Sequence, residues 1–271
     1  MPFRVALVRG FFKAQGLEIQ PIFVRGGPAA LAALSFGEVD FAEIGGAQAI
    51  MRSRSRGLGA AIIGAISNTT NYQIVGSKST RTLKEMKGKT IGVTGAGAFS
   101  DFAMRTFLRR RGIDPNKDVM LRAIGGSNLR ASALEKGIVA AAPFAPDDTV
   151  RLTRLGFPMI ANLSDALTIP QTIVTTRNEF LEKSPETAKG FLKALILGIQ
   201  LAKFNKNEAI KAGFEANLQG EPELVNLAYD LYAPAFSGDL SVNMNGLQFM
   251  LDEDKRNRLI DAKFTLESGR Q

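Results

Sequence analysis

The sequence predicts an α/β protein built from two similar lobes joined by two crossing strands. Three observations predict it: a length of 271 residues, an alternation of helix-like and strand-like segments, and one passage that occurs twice. A chain of this length fits two α/β lobes of ordinary size. Its 45% hydrophobic and 22% charged residues are the usage of a folded chain.

The two copies are Gly26 to Ala42 (GGPAALAALSFGEVDFA) and Gly125 to Ala142 (GGSNLRASALEKGIVAAA). Ala33, Leu34, Gly37 and Val39 recur as Ala133, Leu134, Gly137 and Val139. Upstream, Phe11, Phe12, Gly16 and Leu17 answer Phe107, Leu108, Gly112 and Ile113. Each copy reads as helix, glycine stop, strand, double glycine, helix, glycine stop, short strand. The helices follow from residue chemistry. Phe102, Ala103, Phe107 and Leu108 share one face behind a candidate N-cap at Ser100. Pro28 suits a first helical turn and Gly37 a helix end. Such alternation predicts a mostly parallel sheet covered on both sides.

The second copy follows a strand, Thr90 to Val93, and a glycine-rich turn, Thr94-Gly95-Ala96-Gly97. The equivalent strand of the first copy would fall before Met1, so the first lobe is expected to lack its opening strand. Ala60–Ile66 and Tyr72–Gly76 read as strands between the copies, and Met159–Leu163 and Thr172–Thr176 as strands after them. The chain is expected to cross between lobes near 76–81 and to return near 168–176. Residues 1–77 would then open lobe I and 78–168 form lobe II. Residues 169–271 would supply the return strand and C-terminal helices packed on lobe I. Ser184-Pro185-Glu186 starts the longest of these, with Phe191, Leu192, Leu195, Ile196 and Ile199 on one face. Further helices are predicted over Glu208–Leu218, Pro222–Tyr232 and Gly246–Ile260.

Cysteine and histidine are both absent. That excludes a thiolate nucleophile, a disulfide framework, a Ser-His-Asp triad and an imidazole base. Zinc, iron–sulfur and haem sites lose their usual ligands, so no metal or cofactor is expected. No apolar run reaches the ~18 residues of a membrane helix, and Met1 to Phe12 has no export-signal pattern. The 34 Lys and Arg exceed the 26 Asp and Glu by 8, but this charge is spread out. No stacking aromatics or reader motif accompany it, so no nucleic-acid partner is expected. The run Arg109 to Arg111 reads as the solvated last turn of a helix.

Several segments carry a family likeness together. They are Gly10-Phe11-Phe12 with Gly16-Leu17-Glu18, Gly26-Gly27, Ala33-Leu34 with Gly37 and Val39-Asp40, and Leu83 through Val93 (LKEMKGKTIGV). Ala133-Leu134 with Gly137 through Ala141, and Phe180-Leu181 with Pro185-Glu186, complete the set. In this order and spacing they resemble the periplasmic solute-binding proteins of ABC importers for nitrate, sulfonate and taurine-like compounds. That superfamily also includes thiamine-pyrimidine-synthase relatives. The likeness covers most of residues 8 to 210.

The resemblance implies a type II periplasmic-binding-protein fold with a small anion or aromatic acid held between the lobes. It implies hinge closure, delivery to an ABC permease in the inner membrane, a periplasmic location with the leader absent from this chain, and no chemistry. A monomer is expected. A receptor-coupled sensing module is the alternative. The synthase reading fails because it implies an active-site histidine and a cysteine-rich iron site.

Candidate ligand residues sit where strands end. Thr94, Gly95, Phe99 and Ser100 join a strand to a helix N-terminus, where unpaired N–H groups favour an anion. Gly46, Ala47 and Gln48 follow the short strand of the first copy, and Phe144 follows that of the second. By the repeat these loops face each other, Gln48 offering hydrogen bonds and Phe144 a stacking ring. Asn68 lies on the same rim. Arg130 and Arg177 are the cations nearest plausible cleft positions, but a surface role is favoured for each, as most arginines are exposed.

Overall fold

Gly37 and Gly137, a hundred residues apart, end their helices in the same way in the computed structural model, at φ +75° and +69°. Gly37 donates to Leu34 O at 3.1 Å and Glu38 to Ala33 O at 2.9 Å. Gly137 donates to Leu134 O at 3.1 Å and Ile138 to Ala133 O at 2.8 Å. This is the Schellman pattern, in which a left-handed residue just past the helix closes the last carbonyls, and glycine adopts it without strain. The repeat read in the sequence is therefore a repeat of backbone. The structure describes residues 1–24, 27–216 and 220–267.

The chain forms two compact units. The first comprises 1–68, 169–219 and 233–271, and the second 69–168 and 220–232. In the first unit the chain opens with α1 (Pro2–Val8), α2 (Phe11–Ala14), α3 (Gly27–Ser35), β1 (Phe41–Gly45), α4 (Gln48–Arg54) and β2 (Ala60–Ser67). The second unit holds β3 (Gln73–Gly76), β4 (Thr90–Val93), α5 (Phe99–Arg110), β5 (Met120–Ala123), α6 (Ser127–Glu135), β6 (Ala141–Phe144), α7 (Pro146–Arg154) and β7 (Met159–Asn162). The chain then returns to the first unit as β8 (Thr172–Arg177), α8 (Asn178–Lys183), α9 (Pro185–Phe204) and α10 (Lys206–Glu215). Finally α11 (Pro222–Tyr232) joins the second unit and α12 (Met244–Arg256) the first.

The second unit carries a five-stranded sheet in the order β5-β4-β6-β3-β7. β4 runs parallel to β5 and β6, and β3 antiparallel to β6 and β7. The first unit carries three strands, β1-β8-β2, with β8 antiparallel to both neighbours. These three repeat β6-β3-β7, the last three positions of the larger sheet. Among the described residues no strand stands beside β1 where β4 stands beside β6, as the repeat arithmetic anticipates.

Four expectations need correction. The larger sheet is mixed and the smaller wholly antiparallel, rather than mostly parallel, because the inserted strands β3 and β8 run against their neighbours. Leu17 to Val24, which answers β5, forms no strand. It lacks the neighbour that β5 has in β4, and Pro21 removes a donor from it; Ile22 and Phe23 are exposed. The lobe boundary falls at 68/69 rather than 77/78, because β3 pairs with β6 and β7. Likewise α11 packs on α7 in the second unit, so the C-terminal helices do not all belong to the first.

Each unit has its own core. In the second, Val75, Leu134, Val139, Phe144, Leu152 and Phe157 form one buried cluster. In the first, Phe41 stacks on Phe191 with centroids 4.0 Å apart, and Phe180 and Phe12 extend the row. No helix among the described residues is long and apolar enough to cross a membrane.

Candidate ligand-binding site

In the second unit the parallel strands β4, β5 and β6 lead by short turns into α5, α6 and α7. Their carboxyl ends and the helix N-termini collect N–H groups at one edge of the sheet, which favours anions there. α5 starts at Phe99 with Ala98 as N-cap and no side-chain cap bond. Ser100 is therefore not the N-cap that its position suggested. It is buried, accepts from the Thr94 N–H at 2.9 Å, and donates to Thr94 Oγ1 at 3.0 Å.

Arg130 makes the other contact to that hydroxyl. Its Nη1 donates to Thr94 Oγ1 at 2.7 Å and to Gly125 O at 2.8 Å, and its Nε donates to Pro143 O at 3.3 Å. One guanidinium thus ties together the ends of β4, β5 and β6. Its Cζ lies 5.6 Å from the centroid of the Phe144 ring, a favourable cation–π distance. Arg130 is 2% exposed, so the expectation of a surface residue is wrong. Burial lowers its pKa from the ordinary arginine value.

Phe144 is fully buried beneath that guanidinium. The ring is unavailable for stacking on a solute and serves as the floor under Arg130. Phe99 packs against Tyr72 at 5.8 Å. Gly95 has open space where a Cβ would project. Beyond Arg130, Tyr232 donates to Asp147 Oδ1 at 2.8 Å. Burial, then Asp147, pushes the Tyr232 phenol well above its usual range. Burial, then Asp147, also raises the Asp148 carboxyl.

In the first unit the candidates follow β1. Gly46 takes φ +85°, and its N–H reaches Gln171 O ahead of β8. Ala47 and Gln48 are buried, and both Oε1 and Nε2 of Gln48 lack a hydrogen-bond partner. A buried amide left unpaired is costly. Asn68 is otherwise engaged. Its Nδ2 donates to Ser241 O at 2.6 Å and its Oδ1 accepts from the Asn243 N–H at 2.8 Å, so it anchors the 241–243 segment instead of presenting an amide to a solute. Arg177 is half-buried and clamps the end of α3 through Leu34 O, Val39 O and Asp40. A cavity of about 350 Å³ in this unit is lined by Met51, Ile62, Leu181, Leu247 and Phe264, with none of the predicted residues on its wall. No metal-binding cluster occurs among the described residues.

The model of the family described as NMT1/THI5 like matches residues 1–209. The chain belongs to the NMT1/THI5-like family. Solved structures place the NMT1/THI5-like chain in the periplasmic-binding-protein fold. The alkanesulfonate-binding protein SsuA of Xanthomonas axonopodis pv. citri, bound to MOPS, is 16% identical with a TM-score of 0.82, over 99% of this chain and 93% of that one. The periplasmic aliphatic sulphonate binding protein SsuA of Escherichia coli is 16% identical with a TM-score of 0.76, over 97% and 93%. A protein of Bordetella bronchiseptica RB50 reaches 22% identity and a TM-score of 0.77, over 98% and 87%. A search of the curated proteins found no match.

Sequence reasoning singled out the strand-end turns of this NMT1/THI5-like protein and set Arg130 near them, but it favoured a surface role for Arg130 and did not single out Tyr72 or Tyr232. A signal for Arg130 was present. It lies one helical turn before Leu134, which is 1% exposed, so α6 periodicity puts both on the inward face.

Proposed function

We propose that the protein is the solute-binding component of an ABC-type importer. It takes a small organic or inorganic anion, such as a sulfonate, nitrate, carboxylate or aromatic acid, and delivers it unchanged to a membrane permease. Strand-end groups hold the solute, and its binding favours the liganded conformation. The protein works in the periplasm as a monomer. Membership of the NMT1/THI5-like family and the fold shared with sulfonate-binding proteins support this reading. The chain has no cysteine or histidine for the synthase chemistry that the family name also covers.

The observation that carries it is Gln48, a buried carboxamide with neither polar atom paired. Such a group is explained when a polar solute supplies the missing partners. The candidate contacts are Gly46, Ala47 and Gln48 after β1, and Thr94, Gly95, Phe99 and Ser100 after β4. A thermal-shift screen over alkylsulfonates, nitrate, aromatic carboxylates and pyrimidines tests the proposal. A true ligand at 100 times its Kd stabilises the protein by about 2.7 kcal/mol. Gln48→Leu should keep the unliganded melting temperature and shrink that response. A panel that stabilises nothing would remove the importer reading.

A further inference from the structure

Arg130 is a buried cation without an anion. Its three hydrogen-bond partners within the chain are neutral: the Thr94 hydroxyl and the Gly125 and Pro143 carbonyls. Among the described residues no carboxylate lies within 4.0 Å of it; Asp148 acts on it only at longer range and is itself engaged by Arg151 at 3.6 Å. Buried charges are ordinarily paired, because the loss of water around a guanidinium is not made good by neutral acceptors. The three bonds use both protons of Nη1 and the proton of Nε. Nη2 keeps both of its N–H donors free of partners in the chain, and it is not among the polar atoms sealed from solvent without a partner.

Thr94 completes the arrangement. Its side-chain oxygen accepts from Ser100 Oγ and from Arg130 Nη1. A hydroxyl has one proton and two acceptor positions. With both acceptor positions filled, the proton remains to donate, and Thr94 is exposed. The positive guanidinium polarises that O–H and strengthens it as a donor to an anion.

We propose that Arg130 Nη2 and the Thr94 hydroxyl form the receptor for the charged oxygens of the solute, with Ser100, Gly125 and Pro143 holding both donors in place. The ligand class is an oxyanion, sulfonate or carboxylate, whose oxygens bridge an N–H and an O–H. Arg130 in this role confers selectivity for charge over shape. The proposal rests on the importer reading but goes beyond it, since a solute could bind there without touching Arg130.

The test is isothermal titration of the full chain with butane-1-sulfonate and benzoate, each against its uncharged counterpart, butane-1-sulfonamide and benzamide. The wild type should prefer at least one anion to its neutral counterpart. Arg130→Gln, which retains donors and loses the charge, should weaken that anion by about 10- to 100-fold and abolish the preference. Thr94→Val should weaken it about 5- to 10-fold, and Thr94→Ser, which restores the hydroxyl, should recover wild-type affinity. A role of Arg130 confined to tying the strand ends would lower the melting temperature without changing the ratio of anion to neutral affinity. If the wild type binds an anion and folded Arg130→Gln binds it equally well, the assignment falls while the importer reading stands. Should Arg130→Gln not fold, unchanged anion affinity in Thr94→Val overturns it. A wild type that binds neither anion overturns the assignment and the importer reading for these two classes.

Discussion

Asp254 is 1% exposed and accepts from Arg52 Nε and Nη2, both at 2.7 Å. This two-pronged pair locks α12 to α4. Removing Arg52 strands the buried Asp254 carboxylate, so Arg52→Ala should cost about 3 to 5 kcal/mol, read from urea unfolding. The double change Arg52→Met with Asp254→Leu should recover most of that loss, because the cost belongs to the unpaired charge. A second contrast tests the turn after β4. Gly97 has φ +72°, where any side chain is strained, so Gly97→Ala should lose about 1 to 2 kcal/mol. Gly95 has no positive φ, and nothing lies within 4 Å of its Cβ direction. Gly95→Ala should therefore change stability by less than about 0.5 kcal/mol. If the turn contacts solute, the same methyl should weaken binding, and titration beside a melting curve separates the two effects.

Helices α1 and α9 approach as closely as their sequences allow. A Cβ on Gly198 would stand 2.5 Å from Pro2 O and 2.7 Å from the Ala6 Cβ. Both neighbours are on α1 and neither is a flexible side-chain end, so the helices must part. Gly198→Ala should lose about 1 to 3 kcal/mol, and differential scanning calorimetry would show it as a lower melting temperature. At this scale much of the fold was legible. The stop glycines, the start of α9 at Pro185 and the strands after each double-glycine helix follow from local chemistry and repeat spacing. Leu17 to Val24 was misread because its sequence suits a strand, while strand formation depends on a neighbour to bond. The direction of β3 and β8 was equally hidden, since a strand pattern with period two is the same read from either end.

For the whole molecule the formal charge of +8 bears on encounter rather than on affinity. If the solute is an anion, its association rate should fall as salt rises toward physiological strength, while its dissociation rate stays nearly constant. Stopped-flow mixing at several salt concentrations would separate the two rates. A dissociation rate that carried the whole salt effect would put the electrostatics in the bound state instead. The candidate site was only partly legible because its parts come from distant segments. Arg130 gains its meaning from Thr94, Gly125 and Pro143, and Asn68 loses its own to Ser241 and Asn243. Neither exchange leaves a mark on a local pattern.

The residues alone determined the alternation of helix and strand, the duplication, and the loss of every chemistry that needs a thiol or an imidazole. They did so because backbone conformation, side-chain periodicity and elemental composition act over a few neighbouring positions. Tertiary structure decided which strands are neighbours, where one unit ends, and that an arginine on an apolar helix face lies under cover, hydrogen-bonded only to neutral groups. Pairing and burial depend on segments far apart in the chain, and their energies exist only once those segments have met.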